Sequence, residues 1–151
     1  MYMIYVGYQG IGKSSIGGTN KYIDLESGNF WIDGKRDDNW YKIYVNIAEN
    51  LNDQGYDVLL SSHTVVRDEL KERNIPFTCV YPGLNLRDQW IERLLIRYNI
   101  TLKEKDYKAL CNAIKEYGSN ITDLSQEKNT IKINSMDYEL SELLRGRYVE
   151  Q

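Results

Sequence analysis

Residues 3–14 read MIYVGYQGIGKS, and the rest of the chain is best read outward from them. Met3 to Val6 is a short apolar run of the kind that fills a strand buried on both faces, and it breaks at Gly7 into a turn too rich in glycine to continue as sheet. Gly7, Gly12, Lys13 and Ser14 then fall at the spacing G-x-x-x-x-G-K-S, with Gly10 as a third glycine inside the turn. The residue types share one chemical reason. Glycines let successive backbone N–H groups turn inward around an anion, Lys13 can reach the outer phosphates of a nucleotide, and the Ser14 hydroxyl can ligate Mg²⁺. With Ile11 and Ser15, these residues make up the expected phosphate cradle. Ordinary residue usage gives a chance match in a chain of this length a frequency of roughly half a percent. The competing reading is a glycine-rich strand-to-helix turn with an exposed lysine. It draws on Gly17 and Gly18, which interrupt the helix that should follow, with Asn20 and Lys21 already leading into a strand. Most of a helix end's field arises in its first turn, so even a short helix would serve an anion.

Away from the loop, apolar runs of strand type alternate with helical periods. Lys21 to Leu25, Tyr56 to Leu60, Phe77 to Tyr81 and Thr130 to Ile133 read as strands. Between them, Trp40, Ile43, Tyr44, Ile47 and Leu51 recur at helical spacing, with Asp37 or Asp38 as cap and Gly55 just past the end. Val65 to Arg73 is a shorter helix, and Leu86 to Tyr98 repeats the period through Trp90, Ile91, Leu94 and Leu95. Thr101 and Glu104 form a capping-box pattern ahead of Tyr107, Leu110, Cys111 and Ile114, with Gly118 expected to close that helix. Tyr138 to Leu144 is a last helix, followed by an expected frayed tail from Arg145. Strands separated by helices argue for an α/β fold, a parallel sheet covered on both faces, in which ligands sit outside the carboxyl ends of the strands.

The composition narrows the partners. A length of 151 residues fits a single domain spanning residues 1–151. With 19 basic and 22 acidic residues the net charge is −3, so nucleic acid is a conceivable partner that the charge does not advertise. Cys79 and Cys111 lie in apolar segments outside any C-x-x-C pair, which predicts two buried free thiols in a reducing compartment and no zinc. Met1 to Val6 is too short for a leader or a membrane span, and no run of about 18 apolar residues occurs, so a cytoplasmic protein without membrane contact is expected.

Three looser pieces accompany the loop: Asp24-Leu25-Glu26-Ser27 at the second strand end, Ser61-Ser62-His63 followed by Val66-Arg67-Asp68-Glu69-Leu70, and a helix bearing Arg87, Arg93 and Arg97. With the loop, a complete Walker A motif, they resemble the small P-loop kinases of the nucleoside monophosphate, gluconate and shikimate kinase group, over the chain up to about residue 100. More narrowly, IDLESGNF and SSHTVVRDEL are similar to small kinase-like proteins of phages and bacteria. The resemblance implies a three-layer P-loop fold with five parallel strands in the order 2-3-1-4-5 and helices on both faces. It also implies an ATP site at the loop, Mg²⁺ as cofactor and an arginine-rich lid. One departure stands out: many members end the third strand in an acid, where this chain has Ser61 and Ser62.

Each remaining candidate has a plain alternative. Asp24 and Glu26, two apart on a strand end, share a side and could hold Mg²⁺ or take the proton of an attacking hydroxyl; otherwise they are a solvated turn. Arg67 could clamp an anionic acceptor or pair with acidic neighbours. Arg93 and Arg97 share a helical face and could close on one triphosphate, unless Asp88 and Glu92 neutralise them. His63, the only histidine, follows a strand end and is either a substrate contact or a surface residue. Trp31, Trp40, Tyr41 and Tyr44 lie where this kinase group places its acceptor, although Trp40 and Tyr44 also match a core period. Residues 29–39 read as a mobile loop of the kind that closes on substrate.

The expected function is transfer of the γ-phosphoryl group from ATP with Mg²⁺ to a small acceptor, a (deoxy)nucleotide or nucleoside monophosphate first. The alternatives are a kinase for a hydroxyl on a modified base or polynucleotide end, and a nucleotide-binding ATPase or sensor with no acceptor.

Overall fold

Five all-parallel strands form one sheet in the order β2-β3-β1-β4-β5. The computed structural model describes residues 3–17 and 21–150, with the backbone alone for residues 14, 15 and 146–150. The strands are β1 (Ile4–Gly7), β2 (Tyr22–Asp24), β3 (Asp57–Ser61), β4 (Thr78–Pro82) and β5 (Thr130–Ile133). The helices are α1 (Lys13–Ile16), α2 (Trp40–Asp53), α3 (Thr64–Glu72), α4 (Arg87–Thr101), α5 (Glu104–Ser125) and α6 (Leu140–Glu150). Every side chain of β1 and β4 is buried, as apolar runs in the middle of a parallel sheet require. Among the described residues no helix is long and apolar enough to cross a membrane.

The topology fixes where a ligand belongs. After β1 the chain moves toward β2, whereas after β3 it moves toward β4, so two adjacent strands lead off in opposite directions. The crossovers are right-handed by rule, which puts α1 on one face and α2, α3 and α5 on the other. Contacts agree: α2 packs on α3, and α1 meets α6. A crevice therefore opens above the ends of β1 and β3, where Gly7 and Ser61 are register partners.

Helical periods in the sequence have the right spacing and, in places, the wrong phase. In α2 the buried residues are Trp40, Tyr44, Val45 and Ala48, while Ile43 and Ile47 face outward. In α5 the buried stripe is Asp106, Leu110, Ala113 and Tyr117, leaving Tyr107 and Ile114 half exposed. Asp106 turns inward because Arg97 and Thr101 meet it there, and that rotates the first turn away from the apolar phase. Gly118 does not end the helix. α5 runs on to Ser125 with one residue, Glu116, out of helical geometry (φ −134°, ψ 17°), so the expected break appears as a kink. Thr101 is the last residue of α4 and not a cap for α5, whose N-cap is Lys103. Past Arg145 the chain is helical to Glu150 instead of frayed.

Of the two cysteines, Cys79 is buried on β4 with its thiol pushed up to about 12, first by burial and then by Glu127. Cys111 is only half-buried, because it flanks the α5 stripe and does not lie on it.

Candidate functional site

The glycine loop hangs between β1 and α1 and is gripped from outside. Gly10 and Gly12 take positive φ, 87° and 105°, a region where a side chain is strained. At Gly10 space is short as well, since an added Cβ would stand 3.0 Å from Leu94 Cδ2 and 3.1 Å from Trp90 Nε1 of α4. Trp90 Nε1 donates to Gln9 O at 2.8 Å, and the Gln9 amide donates to Ala109 O and Asn112 Oδ1 of α5, both at 3.0 Å. Two more donors hold the next carbonyls: Arg93 reaches Gly10 O at 3.2 Å, and Tyr138 Oη reaches Ile11 O at 2.8 Å. Arg93 also donates to Tyr138 Oη at 2.8 Å and lies over the Trp90 ring. These bonds fix the Gln9, Gly10 and Ile11 carbonyls, while the Ile11 N–H turns back to Tyr8 O at 3.4 Å. Tyr138→Phe removes one of the two ties and is expected to weaken ATP binding about fivefold, the worth of one ordinary hydrogen bond. A titration with ATP checks this; unchanged affinity would show that Arg93 and Trp90 suffice.

Lys13 opens α1, and its Nζ folds back to Gly7 O at 3.2 Å. Burial lowers its pKa, against the opposing pull of the Asp24 and Glu26 carboxylates. α1 is one turn long, as its glycines imply, and ends at Gly17. A Cβ there would come within 2.9 Å of Asp24 Cβ, so the glycine lets the loop segment seat directly against the end of β2. Gly18 and Asn20, and the side chains of Ser14 and Ser15, lie outside the described residues, and so does the reading of Ser14 as a metal ligand.

Asp24 is the unusual group. Its Oδ1 is buried with no hydrogen-bond partner among the described residues. Burial, then the Glu26 charge and a hydrogen bond to Glu26, push its pKa up to about 6, against the lowering effect of Lys13. A buried carboxylate oxygen without a partner is costly. Asp24 and Glu26 form a carboxylate pair beside the Lys13 ammonium. Among the described residues no three side chains of ligating type cluster. At the end of β2, Asp24 stands as a counterpart to the acid absent from the end of β3. Ser61 there is engaged otherwise, donating to Ser27 Oγ at 3.0 Å beside Tyr44 Oη.

The arginines separate. Arg97 gives its Nε to buried Asp106 at 3.1 Å, and its two terminal nitrogens have no partner among the described residues. Its charge is felt at Lys13, so it lies within electrostatic reach of the loop. Arg93 is tied to Gly10 O and Tyr138 Oη, whereas Arg97 is tied to Asp106, so the two do not close on one spot. Arg67 is not brought to the site. It is buried, with Nη1 on Glu127 and Nη2 on Asp123, both at 2.7 Å, and Nε on Ser62 O at 3.2 Å. With a further bond from Nη2 to Thr64 Oγ1 at 3.2 Å, four of its five N–H donors are occupied, and the pairing ties α3 to the far end of α5. Trp40 and Tyr44 are buried core, with Tyr44 Oη accepting from Ser61 N, and Tyr41 is half-buried.

Comparison with family models, characterised proteins and solved structures finds no match. The reading therefore rests on the residues themselves, and two of them escaped the sequence pattern. Lys105, in the first turn of α5, lies 3.9 Å from Glu26, and its charge is felt at both Lys13 and Asp24. Lys108, one turn on, sits 5.1 Å over the Trp31 ring. Their i, i+3 spacing was the available signal, hidden among other charges of a capping pattern.

Proposed function

We propose that the chain is a P-loop phosphotransferase that moves the γ-phosphoryl group of ATP to a small acceptor, a nucleotide or nucleoside monophosphate being the leading class. One observation carries the reading: Lys13, folded back on Gly7 O inside a loop of positive-φ glycines, faces a carboxylate whose buried oxygen has no partner among the described residues. Ionic partners for phosphate and for Mg²⁺ are thus in place on one spot. Further support comes from the cations Lys13, Arg97 and Lys105 gathered there in a chain of net charge −3.

Mg²⁺ would supply charge neutralisation on the phosphates, held by Asp24 and Glu26 with Ser14 as the further candidate. The side chains do the rest by position. Lys13 exchanges its carbonyl contact for phosphate oxygens. Arg97, held at Nε, offers two free nitrogens as charge spreads over the transferred group. Where the acceptor is a hydroxyl, Asp24 takes its proton while the new O–P bond forms and the bond to the leaving ADP breaks. The base fits a cavity of about 320 Å³ beside the loop, lined by Ile11, Gly12, Ile16, Arg93, Tyr138 and Leu140.

ADP release from ATP and Mg²⁺ across nucleoside monophosphates, nucleosides, sugar acids and hydroxyl-ended DNA is the test. Release that depends on one acceptor class is expected. Acceptor-independent release, or ATP binding with none, would replace this reading by an ATPase or sensor, which the single-turn α1 favours.

A further inference from the structure

Arg36 is a cation without an anion. Asp33, Asp37 and Asp38 are its close neighbours in sequence, yet among the described residues no carboxylate pairs with it and no hydrogen bond engages it. Its guanidinium is instead held between two indoles, 4.7 Å from the Trp31 centroid and 3.9 Å from that of Trp40. The segment is folded back to place it there. Ile32 and Lys35 exchange two backbone hydrogen bonds around Asp33 and Gly34, both at positive φ, a tight two-residue hairpin that returns the chain from Trp31 to Arg36. Contact with the indole faces engages the guanidinium through its charge and uses none of its N–H donors, which stay available to a ligand.

Other donors converge on this place. The His63 ring meets Trp40 edge-on at 5.2 Å, Ser27 Oγ is 3.4 Å from His63 Nε2, and Ser61 donates on to Ser27. Lys108 approaches Trp31 from α5. Desolvation against its neighbours, then Arg36 and Lys13, push the His63 pKa down to about 4. His63 itself is exposed.

Position distinguishes this place from the ATP side. Ser27 and His63 follow β2 and β3, whereas the base cavity lies at the segment after β5, and the glycine loop after β1 stands between them. We propose that Arg36, clamped between Trp31 and Trp40 and assisted by Lys108, Ser27 and His63, is the specificity residue of an anion slot that holds a phosphate or carboxylate group of the acceptor. The acceptor is then an acid and not a neutral nucleoside or sugar. This rests on the phosphotransferase reading for the word acceptor, while the slot itself can be tested without turnover.

The measurement is calorimetric titration, without ATP, of AMP and dTMP as phosphate probes, gluconate and shikimate as carboxylate probes, and adenosine, thymidine and glucose as neutral ones. The resonance of the single histidine in untagged protein reports the site. We expect one anionic series to bind and shift the His63 signal, with the series naming the source. Arg36→Gln should weaken that probe about tenfold or more, and Lys108→Gln about threefold. Melting temperatures verify that each variant is folded. Equal binding of neutral probes, no anionic binding, or full affinity in both folded variants would overturn the slot. Slot binding that survives alongside failure of ATP to bind would remove the phosphotransferase reading and leave the slot standing.

Discussion

Lys13→Ala should lower acceptor-dependent ADP release by at least about 10²- to 10³-fold, the scale for losing one preorganised charge at a transferring group. The structure gives the reason in two steps. Lys13 Nζ already lies at the mouth of the loop on Gly7 O, so reaching a phosphate needs a short swing and little ordering. Its pKa is lowered by burial while Asp24 and Glu26 pull the other way, so incoming phosphate oxygens would stabilise a cation that is short of solvent. In the alanine variant the same phosphates would meet the two carboxylates with less positive charge between them, and ATP affinity should fall together with rate. Lys13→Arg should fail as well, because a planar fork does not fit where a compact ammonium folds back on one carbonyl. Steady-state release and an ATP titration check both. A variant within a few-fold of the parent would end the phosphotransferase proposal.

Asp24→Asn should remove Mg²⁺-dependent turnover and make the protein more stable at pH 8. The folded-state pKa of Asp24 is raised to about 6 from an ordinary 3.8, so ionising it costs more in the folded chain than in the unfolded one. The stability associated with the proton is therefore present below about pH 4 and is lost as the pH climbs through about 6. At pH 8 the parent carries that penalty in full and the amide does not. The gain should appear as a higher melting temperature, about 2–4 °C for each kcal/mol recovered in a chain of this size, and should vanish at pH 4. Parent turnover should rise through about pH 6 as the carboxylate ionises, and the variant should lack that rise. A melting temperature that falls at pH 8 would mean that Asp24 holds the fold together through Lys13.

The sheet was legible because its signals are local. Apolar runs such as Tyr56 to Leu60 and the glycine spacing from Gly7 to Ser14 each lie within a few neighbouring residues, and they located every strand to within about a residue. Strand order came only through the resemblance, and the structure has that order. Long-range pairing was not legible. Arg67 read as an acceptor clamp or as a partner of neighbouring Asp68 and Glu69, yet its partners are Asp123 and Glu127, more than fifty residues away. Arg93 and Arg97 share a helical face, but Gly10 O and Tyr138 claim one and Asp106 the other. Asp106 also reset the phase of α5, a buried charge that hydrophobic periodicity has no means of anticipating. Arg36 escaped because the reading of residues 29–39 as a loop gave it no partner, whereas two indoles hold it.

The irregular residue in α5 has a mechanical meaning. At 1.5 Å per residue the helix is about 33 Å long, and Glu116 divides it into two arms with different fastenings. The arm beyond Glu116 is bolted to α3 by Arg67 and to the turn after β4 by Tyr117, whose hydroxyl donates to Gly83 O at 2.7 Å. The arm before it carries Lys105 toward Glu26 at one end and is strapped to the glycine loop by Gln9 near its middle. Asn112 spans the irregular residue, donating to Glu116 at 3.4 Å and accepting from Asn120 at 2.9 Å, so the two arms are linked across it. The run of helix that brings Lys105 to Glu26 also carries the acceptors of Gln9, so the acids at the mouth of the crevice and the peptide beside Gly10 take their positions from one element.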